Sequence, residues 1–373
     1  MKTPTRTIPL SRPFLDEREE DLVLEVLRSG QLSLGPVIPR FEGMAADRLG
    51  APYAAAVSSG TTGLHLAVRI AGIGPGDEVI TSPFSFVASA NCFIYEGAKP
   101  VFADIDPQTL NLDPAKVEAA ITGKTRAVVA VDIFGYPCEI DQIEAICDRH
   151  GLALIQDSCQ ALGAEYKGRP LGSGGHMAVF AFYPNKQMTT GEGGIVTTGS
   201  AEHLELLVSL RNQGRADVDG WLDHSRFGFN YRLSDVHAAI GIAQLEKLDH
   251  LLSMRSAAAA RYHALLADVD KVSTLLPDDA DHRRSWFVYV IKIASGISRD
   301  RVIAYLEDQG IQTRPYLPCI HLQKYMREQF GFHEWMFPAA EETSRHTLAL
   351  PFYTGIEADD QERVVDALRN AVA

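Results

Sequence analysis

Three stretches of the chain carry residues whose types and order suit one piece of chemistry. The first holds Lys186, in the run Phe180-Ala181-Phe182-Tyr183-Pro184-Asn185-Lys186-Gln187-Met188-Thr189-Thr190-Gly191-Glu192-Gly193-Gly194. Proline and glycine punctuate it, and apolar β-rich runs flank it. An amine that forms a Schiff base must lose its proton, and a pocket that strips away water helps it to do so. The second is Asp157, directly after Leu152-Ala153-Leu154-Ile155 and Gln156. A carboxylate at the end of such a strand can pair with a protonated pyridine nitrogen and keep the ring able to accept electrons. It can equally cap a following helix. The third is Ser58-Ser59-Gly60-Thr61-Thr62-Gly63, leading into Leu64-His65-Leu66-Ala67. A small-residue turn that opens a helix exposes N–H groups at the positive end of the dipole. With hydroxyls beside them, these form an anion cradle suited to phosphate. Ser and Thr also serve as plain helix caps, and an isolated loop lysine is ordinarily solvated. The order and complementary chemistry of the three stretches outweigh each signal alone.

Such residues need elements that bring them together. From Tyr53 to Thr198, apolar runs alternate with helical patterns. The expected strands are Tyr53–Val57, Glu78–Thr81, Pro100–Ala103, Ala127–Ile133, Leu152–Gln156, Met177–Phe182 and Ile195–Thr198. Expected helices between them are Leu64–Ala71, Val87–Tyr95, Pro114–Ile121 and Ile140–His150, the last stopped by Gly151. The alternation predicts an α/β fold with a mostly parallel central sheet between helices. In such sheets ligands sit beyond the carboxyl ends of the strands, where all three stretches fall. A long helical stretch runs from Ser234, a candidate N-cap, towards Leu266. Beyond it come a strand at Trp286–Ile293, a helix at Arg299–Gln309 and a terminal helix at Asp360–Val372. This predicts a large cofactor domain over residues 1–250 and a smaller C-terminal α+β domain over 251–373.

Bulk properties exclude other classes. The 373 residues suit two domains. With 46% hydrophobic and 22% charged residues, the composition is that of an ordinary globular protein. A net charge of -13 argues against a nucleic-acid surface or a basic membrane face. No apolar run approaches the roughly 18 residues that span a bilayer. Met1–Arg12 has no signal-peptide core, so a cytoplasmic location is expected. Cys92, Cys138, Cys147, Cys159 and Cys319 form no CxxC pair and no zinc spacing, and no metal is expected. Gly72-Ile73-Gly74-Pro75-Gly76 is not GxGxxG, and it lies between a helix and a strand, the reverse of the dinucleotide context. There is no P-loop, no HExxH and no GxSxG.

With these residues in place, the chain resembles the DegT–StrS family of sugar aminotransferases, which have the fold-type I pyridoxal-phosphate architecture. The likeness runs from Pro9-Leu10-Ser11-Arg12-Pro13 to Leu348-Ala349-Leu350-Pro351. It is most specific at Tyr183 to Gly194 and at Phe229-Asn230-Tyr231-Arg232-Leu233-Ser234-Asp235. The resemblance implies that Lys186 holds pyridoxal 5'-phosphate as a Schiff base and later moves the proton. It implies that Asp157 pairs with the pyridine nitrogen, Gln160 lies near the ring hydroxyl and Phe86 stacks on the ring. Gly60 and Thr61 are implied to bind the phosphate, with Asn230 reaching it from the other subunit of a homodimer with shared sites. One position departs from the family: Ala181 stands where a phosphate-binding serine is common.

The resemblance further implies an amino donor, glutamate, and an acceptor that is a keto sugar linked to a nucleotide. Arg211, Arg215, Arg226 and Arg232 cluster in a segment without lysine, and guanidinium forks suit phosphate and carboxylate. Arg232 is the arginine candidate for substrate, and salt bridges on a solvated loop are the alternative. His321 is a second substrate candidate, with a packed histidine as its alternative. Related sugar dehydratases carry histidine in place of the Schiff-base lysine, so Lys186 argues against that reaction. A cyclitol acceptor and a non-catalytic cofactor-binding regulator remain open.

Overall fold

The structure, a computed structural model, describes residues 6–215 and 223–373. Met1–Thr5, the start of the polar N-terminus, lie outside the described residues. The main sheet has seven strands in the order Tyr53–Val57, Gly194–Thr198, Met177–Ala181, Ala153–Asp157, Thr125–Val131, Glu78–Thr81, Lys99–Phe102. Gly194–Thr198 runs antiparallel to both neighbours. The remaining pairings are parallel.

Period-two alternation of apolar side chains divides the sheet between two cores. Ala54, Ala56, Ile80, Val128, Ala130 and Phe180 join one core. It is closed by the helices Glu17–Ser29, Val37–Leu49, Ile140–His150 and Asp235–Glu246. Their neighbours Ala55, Val57, Val79, Ala127, Val129 and Val179 join the other. Gly60–Ile70, Ala88–Ile94 and Ala201–Arg211 cover that face. The sheet is thus sandwiched, and its parallel strands all deliver their carboxyl ends to one edge.

The C-terminal part forms a four-stranded antiparallel sheet in the order Val272–Thr274, Tyr289–Ile293, Thr347–Leu350, Arg314–Pro315. The helices Arg299–Asp308 and Ala358–Val372 pack on its core, which also takes in Ile8 from the N-terminal segment.

Two expectations are corrected. The long helix from Ser234 is two helices, Asp235–Glu246 and Leu248–Leu266. The break is Lys247, at φ -114 and ψ 12, whose ammonium is drawn to Asp16 and Glu19. Ser234 is the N-cap of the first helix, as its sequence implies. The strand expected at Trp286–Ile293 begins only at Tyr289. The carbonyls of Trp286 and Phe287 are taken by the buried guanidinium of Arg255 instead of by a neighbouring strand.

Candidate active site

A cavity of about 480 Å³ opens at the carboxyl edge of the main sheet. Lys186, Asp157, Gln160, Gly60, Thr61, Phe86 and Ala181 all line it. Every cofactor-site residue expected from the sequence except Asn230 is therefore gathered here.

The phosphate turn is held by a reciprocal cap. The Ser59 hydroxyl accepts from Thr62 N–H, and the Thr62 hydroxyl oxygen accepts from Ser59 N–H. Among the described residues, the N–H groups of Gly60 and Thr61 and the Thr61 hydroxyl meet no protein acceptor. Glycine is required at residue 60 because a Cβ there would lie 2.7 Å from Cys159 Sγ and 2.8 Å from Ala181 Cβ. The turn is a donor-rich cradle at the start of an 11-residue helix, with room for an anion on its open side.

Asp157 is 5% exposed at the end of its strand. Its Oδ1 accepts from Cys159 N–H at 3.2 Å, and its Oδ2 accepts from the Ser89 hydroxyl at 2.6 Å. Ser89 in turn lies 2.8 Å from Ser85 Oγ. The turn after Asp157 is anchored from below by Asp132, which accepts from the Ser158 hydroxyl, the Gln156 amide and Cys138 N–H. Burial pushes the Asp132 carboxyl up to about 6.

The lysine loop is packed rather than draped. Phe182, Gln187, Met188, Thr189 and Thr190 are buried. Thr189 Oγ1 donates to Phe182 O, Thr190 Oγ1 donates to Glu192 O, and Gln244 Oε1 accepts from Thr189 N–H. The Gln187 amide donates to Gln160 O at 2.8 Å and to Ser285 Oγ at 3.0 Å, so the loop is fastened to the C-terminal part. Burial holds Lys186 down at about 8. A buried ammonium is disfavoured because it loses its hydration.

Other expected residues fall elsewhere. Gln160 lines the cavity, and its Oε1 accepts from Phe134 N–H at 2.9 Å. Phe86 stands at the rim, 59% exposed. Asn230 is exposed and lies outside the cavity of its own chain. The Arg232 guanidinium donates to the neutral oxygens of Asn212 and Gln213. His321 is corrected as a substrate contact: it is fully buried, pairs with Glu341 at 3.2 Å and packs against Phe102 and Phe337. Burial lowers its pKa, and it does not line the cavity. Phe287, Tyr316, Asn185 and Ser89 went unnoticed in the sequence. Phe287 sits in an apolar run that reads as core, and the contacts of the others are long-range, so no local pattern marks them.

A poorly hydrated lysine amine, a buried carboxylate and an open helix N-terminus around one cavity match the donor set for pyridoxal phosphate. The family model for the DegT/DnrJ/EryC1/StrS aminotransferase family matches residues 13–369. The chain belongs to this family: it is an aminotransferase with the fold-type I architecture, and its cofactor is pyridoxal 5'-phosphate. It is similar to the spore coat polysaccharide biosynthesis protein SpsC of Bacillus subtilis (strain 168), 38% identical over 378 residues, or 98% of this chain and 97% of SpsC. Among solved structures it is similar to S. venezuelae DesV in complex with ketimine intermediate. The TM-score is 0.92 at 34% identity, over 99% of each chain. The PLP form of Spr1654 from Streptococcus pneumoniae superposes with a TM-score of 0.93 at 26% identity, over 98% of this chain and 99% of that one.

Proposed function

We propose that the chain moves an amino group from glutamate to the keto group of a nucleotide-linked sugar, in the synthesis of amino sugars or surface polysaccharide. The observation that carries the chemistry is the convergence of Lys186, Asp157 and the Gly60–Thr61 turn on one cavity. Similarity to SpsC, a polysaccharide biosynthesis protein, and to Spr1654, a putative sugar aminotransferase, supports a sugar as the acceptor. When bound, the cofactor supplies the electron sink.

The chain's own residues do the rest. Gly60 and Thr61 hold the phosphate with free N–H groups and a hydroxyl. Asp157, fixed by Ser89 and by Cys159 N–H, keeps the ring nitrogen protonated. Phe86 would cover one face of the bound ring, and Gln160 would lie near its hydroxyl. Lys186 would hold the cofactor covalently and, once the donor has taken its place, its Nζ would carry the proton from the donor carbon to the cofactor. Its low hydration lets the amine exist in the neutral form that accepts that proton.

The working unit in this reading is a homodimer with shared sites. Asn230 faces solvent and lies outside its own cavity, which suits a reach to the phosphate in a second copy. Arg232 meets only neutral amides among the described residues, which leaves its charge for a substrate diphosphate. The test is direct. Enzyme loaded with the amino group by glutamate, then freed of glutamate, is offered a panel of nucleotide keto sugars, free keto sugars and keto cyclitols. Amination of a nucleotide sugar, read by mass spectrometry, is the expected result. Amination of a cyclitol alone, or no loading by glutamate, sinks the reading.

A further inference from the structure

The Lys186 Nζ lies 4.0 Å from the centroid of the Phe287 ring. Among the described residues this nitrogen has no hydrogen-bond acceptor and no carboxylate at ion-pair distance. The groups that line the cavity with it are Asp157, Cys159, Tyr183, Glu192 and Tyr316. Burial favours its neutral form, and against this the Asp157 carboxylate favours the charged one, while burial keeps the Cys159 thiol protonated.

Phe287 is held firmly where it stands. Its carbonyl accepts from Arg255 Nη2 at 2.6 Å, and the carbonyl of Trp286 accepts from Arg255 Nε at 2.7 Å. Two residues earlier, Ser285 is bonded by the Gln187 amide, from the residue next to Lys186. Ser285 N–H also donates to Gly135 O at 3.0 Å, where a Cβ on residue 135 would lie 1.8 Å from Ser285 O. The ring is therefore a fixed wall, fastened to the same loop as the amine it faces.

Such a wall acts on the amine in two opposite ways. By excluding water it favours the neutral form. Its π face, the negative part of the quadrupole, favours the ammonium. We infer that Phe287 is a positioning residue whose ring face steadies the Lys186 ammonium formed when the free, neutral amine takes up a proton, so that this proton stays at Nζ until it is passed on. The step moves one proton on and off one lone pair and needs no oxidant or further reactant. The inference rests on the proposed role of Lys186.

The experiment measures the titration of Lys186 in the full chain freed of cofactor. Competitive labelling with acetic anhydride across pH, read on the Lys186 peptide by mass spectrometry, gives the value directly. Phe287→Leu and Phe287→Met keep an apolar wall and remove the π face, so the midpoint should fall by about one pH unit. Phe287→Tyr keeps the face and should restore the wild-type midpoint. Phe287→Ala admits water and should move the midpoint upward, towards the ordinary lysine value. An unchanged midpoint in both the Leu and Met variants, with a rise in the Ala variant, would show a wall without a π contribution and overturn the inference. Failure of the underlying reading shows separately: borohydride would then fix the cofactor of the wild-type enzyme to a lysine other than Lys186.

Discussion

In the loop from Phe182 to Gly193, Gln187, Thr189 and Thr190 are buried and bonded within the chain; around Asn230 the segment is more open, although Tyr231 pairs with His65 and Arg232 with Asn212 and Gln213. The three buried side chains are bonded to Gln160, Ser285, Phe182 and Glu192. Asn185 Oδ1 is buried without a partner, and its residue lines the cavity together with Lys186. In the segment from Phe227 to Arg232, by contrast, Phe227 is 77% exposed, Asn230 faces solvent, and Arg232 meets neutral amides. An exposed segment of this kind is what the proposed shared site requires of a surface that meets a second copy. In the proposed reading, one chain carries the chemistry and the second copy and the substrate complete recognition.

The sharpest way to break that comparison is to damage each region separately and mix the products. Lys186→Ala should abolish turnover and covalent attachment of the cofactor. Asn230→Asp should set a carboxylate against the phosphate and impair both sites of its homodimer. In a mixed dimer, the subunit with intact Lys186 receives intact Asn230 from its partner. Random equal mixing makes half the dimers mixed, each with one good site of two, so about a quarter of wild-type activity should return. If Asn230 works within its own subunit, mixing confirmed by mass recovers nothing above background.

Next in size is Asp157→Asn. The amide keeps the shape but cannot balance a ring proton, and Ser89 loses its charged acceptor. Turnover should fall by about 10²–10³-fold, the usual loss for one fixed electrostatic contact in a site. Near-normal turnover in a folded variant would reduce Asp157 to a cap on the turn below it.

These two effects also mark what could be read from the sequence. Asp157 was legible because it ends a strand, and Lys186 and Gly60 because they lie in the loops that follow one; strand ends show in apolar periodicity. The parallel sheet was legible for the same reason. The break at Lys247 was not, because it depends on Asp16 and Glu19, far away in the chain. Nor was the late start of the strand at Tyr289, since it depends on Arg255 capturing two carbonyls. For His321 the sequence left a substrate contact and a packed histidine both open, because Glu341 and Phe102 become its neighbours only in the fold.

A smaller effect tests how dry the lysine loop is. Burial takes Lys186 from an ordinary 10.5 down to about 8 in the folded chain. Between those values the unfolded chain binds more protons, so stability should rise with pH across this window. Below pH 8 the full penalty of the buried ammonium is present. Lys186→Met should therefore stabilise the cofactor-free protein at pH 7 by roughly 1–3 kcal/mol, with the upper figure set by the whole shift. Urea unfolding at pH 7 measures it. No gain would mean that water reaches the amine and that the loop is wetter than its packing indicates.

The smallest effect concerns the one place where the chemical region lacks an expected contact. Ala181 lines the cavity, and its Cβ would lie 2.8 Å from a Cβ placed on Gly60, so its methyl abuts the phosphate turn. A serine here differs from alanine by one hydroxyl, on an atom already beside the Gly60 and Thr61 donors. With that hydroxyl turned to the phosphate, Ala181→Ser adds one hydrogen bond to a charged group, worth roughly 1.5–3 kcal/mol. Ordering the hydroxyl and displacing water offset part of this, so cofactor affinity should rise by about tenfold. Titrating the cofactor-free protein with pyridoxal phosphate, followed by tryptophan fluorescence, measures the change. Weaker binding would show that Cys159 Sγ and Gly60 leave no room for the added oxygen. Unchanged binding would show that a water or a partner residue already occupies the position, which would move one phosphate contact from the self-contained region to the shared one.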